Sequence, residues 1–200
     1  MDQRWERRIA WGVRIALVLA VGFSVAFPGL PQFEGKGMAF RAPFYLLPLA
    51  VVPVVWRWRG RRPPYPYLVD ALVVAPFLLD TLGNALNFYE TFDVTDDVLH
   101  TVNWILLVAG ITLALLRTML NRLGIWVMAY GIGGLAIIWW EAAEWLVQQL
   151  GTAGLGLTYG DTIGDLVLSS TGGALGSGLV LWWTRGSRAD PAVTPVGTVR

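Results

Sequence analysis

Four clusters of polar side chains interrupt otherwise apolar stretches of this 200-residue chain: Asp80, Asn84 and Asn87; Asp96, Asp97, His100 and Asn103; Glu141, Glu144 and Gln148; and Asp161 with Asp165. Spacings of three and four residues put the members of a cluster on one helix face. Ionisable groups inside apolar helices are costly and face a protein interior or a watery cavity. Carboxylates with a single histidine make a hard, oxygen-rich ligand set. Such a set suits Mg, Mn, Ca or a carboxylate-bridged Fe pair better than a structural Zn site, which wants Cys and several His. The expected ligands of a divalent cation are Asp80, Asp96, His100, Glu141, Glu144, Asp161 and Asp165. Without a cation, so many acids in a low-dielectric layer cannot all ionise. A carboxyl group held near neutrality then serves as a proton shuttle or general acid, work that would fall to Asp96, His100, Glu141 and Asp165.

Plainer roles compete for the same residues. Asp161, and Asp96 or Asp97, stand where helix N-caps belong, and an Asp cap needs no function. Asp165 is too deep for a cap. Glu144 and Gln148 fit an interfacial position, whereas Glu141 lies two turns inside its segment. A lone histidine is ordinarily a satisfied core residue; Asp96 one turn before His100 and Asn103 one turn after it point to a working group. Ser169, one turn beyond Asp165, is a nucleophile candidate that nothing in the sequence marks. No phosphate-binding Gly-x-x-x-x-Gly-Lys loop and no His-Glu-x-x-His is present, and the absence of Cys excludes disulfides, thiolate metal sites and Cys nucleophiles.

The segments that must position these groups are membrane spans. With 55% hydrophobic residues, only 14% charged and eleven Trp, the chain reads as an all-α polytopic membrane protein. Spans are expected near 9–28, 42–56, 67–88, 96–116, 123–147 and 161–183. Arg14 lies near the start of the first, where it can run back to the interface. Pro43, Pro48 and Pro53 predict a kinked second span. Asp70 is placed to pair with the arginines of Arg57–Arg62. The first span is too long for a removable leader and lacks a cleavage site. The sixth carries Gly172-x-x-x-Gly176, a spacing that lets another helix approach closely. One six-helix domain, 1–184, is expected, followed by a disordered cytoplasmic tail, 185–200.

Charge fixes the expected orientation. Arg4, Arg7, Arg8, Arg57, Arg59, Arg61, Arg62, Arg117, Arg122, Arg185, Arg188 and Arg200 fall on the side of the termini, and only Lys36 and Arg41 on the other. The asymmetry places both termini in the cytoplasm. All four polar clusters then lie in the outer half of the membrane, and at about 1.5 Å per residue Asp80 is roughly 15 Å below Glu90. An outward-open cavity walled by spans three to six is expected, with nothing comparable in the cytoplasmic half.

At these residues the chain resembles the VanZ-like and YjdF-like group of small bacterial membrane proteins. Asp96-Asp97-Val98-Leu99-His100 is similar to that group's Asp-basic-x-x-His, Glu141-Ala142-Ala143-Glu144-Trp145 to its Glu-x-x-Glu/Gln, and Asp161-Thr162-Ile163-Gly164-Asp165 with Gly172-Gly173-Ala174 to its Asp-Thr-x-x-Asp and Gly-Ala elements. Asp97 departs from the usual Lys or Arg, which makes the site more acidic. The resemblance implies a multi-pass protein of the bacterial inner membrane with a link to the cell envelope, and supplies no reaction. The expected partners are membrane lipid and another membrane protein, with no nucleic acid. The leading reading is a metal-binding or acid–base site, with enzymatic action on a lipid or envelope precursor left open. Its rivals are a capture subunit resembling the S-components of energy-coupling-factor importers, suggested by six short spans and Ala16-x-x-x-Ala20, and a structural subunit whose polar residues are interhelical glue. A cation path is disfavoured by the apolar cytoplasmic half.

Overall fold

The structure, a computed structural model, describes residues 3–61, 63–152 and 157–186. The tail expected to be disordered falls almost wholly on 187–200, outside the described residues. Every described element is helical: α1 Gln3–Ala26, α2 Met38–Leu46, α3 Pro48–Trp58, α4 Tyr67–Ala85, α5 Phe88–Thr91, α6 Thr95–Leu115, α7 Arg122–Gln149 and α8 Tyr159–Trp183. Six units are long and apolar enough to cross a membrane, α2 and α3 together forming the second. Their alternation puts the C-terminal ends of α1, α4 and α7 at one end of the bundle, and the N-terminus, the end of α3 with Arg57 and Arg59, and Arg117 and Arg122 at the other.

Proline explains the broken second span. Leu47 joins α2 to α3 between Pro43 and Pro48, and Pro53 lies inside α3. Because Pro53 has no N–H, the carbonyl of Leu49 lacks its helical donor, and the Nη2 of Arg14 fills that place at 2.8 Å. The Arg14 side chain thus has partners within the bundle. It turns inward, its Nη1 also 2.8 Å from the Asp70 carboxylate, to which Tyr65 donates at 3.0 Å. Arg14 is thus the basic partner of Asp70 among the described residues, in place of the expected arginines of 57–62, and the termini-side half of the bundle does hold a buried polar group. A carbonyl without water must find a donor within the protein; here α1 supplies it to α3 and is tied to α4 in the same stroke.

The third span ends at Ala85, earlier than expected, because Asn87 adopts a left-handed conformation (φ 59°) and α5 turns away. Asn87 is consequently exposed and does not join Asp80 and Asn84. Helix α4 is the most enclosed span, packed between α1 and α6. The tightest pairing is α6 with α8, which run parallel: Gly172 lies against the Thr101 carbonyl and Gly176 against that of Ile105. Small residues at a four-residue spacing allow this backbone-to-backbone approach. The apolar core divides into a cluster of Leu17, Val21, Phe33, Met38, Tyr45 and Val74, another of Trp104, Val108, Ala129 and Ile137, and a smaller one of Val52, Val69 and Val73.

Candidate functional site

Asp80 projects from the middle of α4's last two turns, and three donors converge on it. The Tyr45 hydroxyl donates to Oδ2 and the Tyr89 hydroxyl to Oδ1, while the Arg41 guanidinium stands 3.6 Å away. Arg41 and Tyr45 are four residues apart and share one face of α2, the cation 5.2 Å from the phenol ring centre. The same guanidinium bonds Glu144 of α7 at 3.2 Å. A fully paired, nine-tenths-buried arginine of this kind is the compensation that buried carboxylates require. Burial pushes the Tyr89 phenol up from its ordinary range and the Asp80 charge adds to the effect, so Tyr89 stays a proton donor. Nearer the bundle end, Lys36 lies 2.9 Å from Glu90 and over the Tyr89 ring.

Across the cavity, the parallel α6–α8 pair sets His100. Its Nε2 is 3.6 Å from a carboxylate oxygen of Asp96, one turn earlier on α6, and 3.6 Å from one of Asp165 on α8. Its Nδ1 is 3.1 Å from Ser169 Oγ, and the ring stacks on Trp104 with centroids 5.9 Å apart. Every degree of freedom of the ring is thereby restrained, with Nε2 turned toward the acids. Ser169 is fully buried behind the histidine, so it orients the ring and has no room to attack a substrate. Glu141, 7% exposed, has no hydrogen bond to either oxygen, although Thr162 lies close by.

Most of these groups, though not Tyr45, Glu141 or Ser169, line a cavity of about 220 Å³, walled by Lys36, Arg41, Asp80, Asn84, Tyr89, Glu90, Asp96, His100, Glu144, Leu157, Asp161 and Asp165. Beneath it a pocket of about 30 Å³ reaches Asn103 and Trp140, sharing Asp80, Tyr89 and His100 with the larger one. The volume is water-sized, and the unpartnered Asn103 Oδ1 is on its wall. Two triads place ligand atoms within 4.8 Å of one another: Asp96, His100 and Asp165, and His100, Glu141 and Glu144.

Several expectations are corrected. Asp161 is not the cap of α8. Thr158 is, its Oγ1 accepting from the Asp161 N–H at 3.1 Å, and this leaves the Asp161 side chain free to face the cavity. Neither Asp96 nor Asp97 caps α6, whose first turn has no side-chain cap. Asp97 is exposed and does not line the cavity. The wall formed by Arg41, Tyr45, Tyr89 and Lys36 was missed. The available signal was that Lys36 and Arg41 are the only basic residues between the first span and Arg57, on the side richest in buried acid.

Residues 9–186 match the model of a family described as a predicted membrane protein, DUF2238. No curated protein and no solved structure matches the chain.

Proposed function

The chain belongs to the DUF2238 family of predicted membrane proteins, and from that premise we propose that it presents an acid–base site to the outer face of a bacterial inner membrane, acting there on a lipid or cell-envelope precursor. The observation that carries the reading is the relay through His100. One ring nitrogen faces two carboxylates at 3.6 Å across an open polar cavity, and the other is pinned by a buried hydroxyl. A histidine so held can accept or deliver a proton at Nε2 without reorienting. The 220 Å³ volume takes a headgroup or the polar end of a precursor rather than a whole lipid. Outward orientation is supported by the arginines gathered at the opposite end of the bundle. The finer kinship, with VanZ-like and YjdF-like proteins, is part of the proposal and rests on the motifs around His100, Glu141 and Asp165.

The test is comparison of membrane lipids and envelope precursors, by mass spectrometry, in cells with and without the protein. At least one headgroup or precursor species should change, with restoration by the wild-type chain and none by His100→Ala or Asp165→Asn. Full restoration by both variants would remove the acid–base role. An unchanged profile together with a small molecule co-purifying with the chain and a partner subunit would replace the reading with substrate capture.

A further inference from the structure

We infer that Asp96, His100 and Asp165 are the protein ligands of one small divalent transition cation, with zinc the best fit, leaving a fourth position open to the cavity. The inference rests on the proposed reading of this cavity and supplies its cofactor class: with an ion on Nε2 the ring could not also carry a proton there, and the acid–base role would pass to a water on the open position.

Geometry selects the ion. With bonds of about 2.0–2.2 Å, the 3.6 Å separations between Nε2 and each aspartate oxygen correspond to ligand–cation–ligand angles of roughly 110–130°. Those two angles fit a tetrahedral site, and the third closes if the two aspartate oxygens, within 4.8 Å of each other, draw to about 3.4 Å on binding. An octahedral Mg at about 2.0–2.1 Å wants neighbouring ligands about 3 Å apart, and Ca wants six to eight oxygens, not a ring nitrogen. The hard-cation preference drawn from composition alone therefore shifts toward zinc once the distances are in hand. The other ring nitrogen meets the common requirement for a metal-bound imidazole: with Nε2 on the ion, Nδ1 carries the hydrogen and donates to Ser169 Oγ.

Two independent observations call for positive charge at this spot. Six carboxylates line the cavity, and three of them, Asp80, Glu90 and Glu144, are satisfied by Arg41 and Lys36. Among the described residues, Asp96, Asp161 and Asp165 form no ion pair with an Arg or Lys within 4.0 Å, and Arg41 acts on Asp96 only from a distance. Second, Glu141 is nine-tenths buried and shares a 4.8 Å cluster with His100; the Thr162 hydroxyl lies close to its carboxylate without a well-formed hydrogen bond to either oxygen. A buried carboxylate so poorly served is expensive, and a water on the open position of the cation would serve it.

The experiment uses the full chain in detergent, stripped with a chelator and then titrated with Zn²⁺ alone, followed calorimetrically and by thermal melting. Wild type should take up one Zn²⁺ per chain and melt at a higher temperature when loaded. His100→Ala and Asp165→Asn should lose that ion while melting like the stripped wild type, and Ser169→Ala should bind about 10–100-fold more weakly. Should a variant fail to fold, Co²⁺ bound to wild type still decides the matter, because four-coordinate Co²⁺ absorbs intensely in the visible and six-coordinate Co²⁺ does not. No ion above background in the wild type, unaltered binding in folded variants, or a six-coordinate Co²⁺ spectrum would each overturn the inference. Any of these would leave the acid–base reading standing. Conversely, a bound ion with an unchanged lipid and precursor profile would overturn the proposed function and leave the cation site in place.

Discussion

Replacing Gly176 by Ala adds one methyl group where the backbones of α6 and α8 cross closely. A Cβ built there would stand 2.3 Å from the Ile105 carbonyl oxygen, and one at Gly172 at the same distance from that of Thr101. Backbone carbon–oxygen contacts ordinarily sit near 3.3–3.6 Å, so α6 and α8 must part by about 1 Å. Overpacking costs about 1–3 kcal/mol, and with helix backbone on both sides the loss belongs at the upper end. Gly173→Ala is milder, since its Cβ would meet the Val108 Cγ2 at 3.2 Å, a side chain that can yield. Gly178 meets nothing within 4 Å, so Gly178→Ala should stay within about 0.5 kcal/mol of wild type. The assay is reversible unfolding of the detergent-solubilised protein by SDS, read by Trp fluorescence. If Gly176→Ala unfolded with Gly178→Ala rather than well below it, the backbone crossing that sets His100 against Asp165 would be wrong.

Removing the Arg41 charge strands two carboxylates. Arg41→Leu should cost about 3–5 kcal/mol in the same unfolding assay, and the double change with Asp80→Asn should cost less than the sum of the two singles. Reporter fusions after Asp93 should read outside the cytoplasm and fusions after Arg117 inside; the reverse pattern would turn the cavity toward the cytoplasm. Tyr89 gives the alkaline limb of stability. Its phenol is raised above 10.0 by burial and by Asp80, so its contribution is whole below about pH 10 and fades as pH climbs toward the folded value. Tyr89→Phe, which cannot ionise, should therefore show a smaller stability loss above pH 10.

The spans were legible because each is a long apolar run with punctuation at its ends, and hydropathy alone decides such a segment's fate. The acids were legible for the converse reason: Asp80, Glu141 and Asp165 are conspicuous against apolar neighbours. What spacing could not show is partnership between helices. Arg41 meets Glu144 across 103 positions of sequence, and it was read as part of a polar turn because α2 begins at Met38, four residues before the boundary that hydropathy suggests. Asp70 was matched with nearby arginines in sequence, although its partner Arg14 sits 56 positions away on another helix. Asp161 looked like a cap because Thr158, which does cap, is an equally good one three residues earlier.

The bond between Arg14 and the carbonyl that Pro53 leaves free bears on how the protein is made. A lone arginine within a span costs about 2.5–3.5 kcal/mol at the helix centre on insertion scales, and Arg14's acceptors, Leu49 and Asp70, belong to α3 and α4. When α1 leaves the ribosome neither acceptor has yet reached the membrane. The first helix must then wait with its guanidinium at the headgroups and settle to full depth only after the fourth has arrived. The final seating of α1 thus depends on α3 and α4, the helices that carry its acceptors.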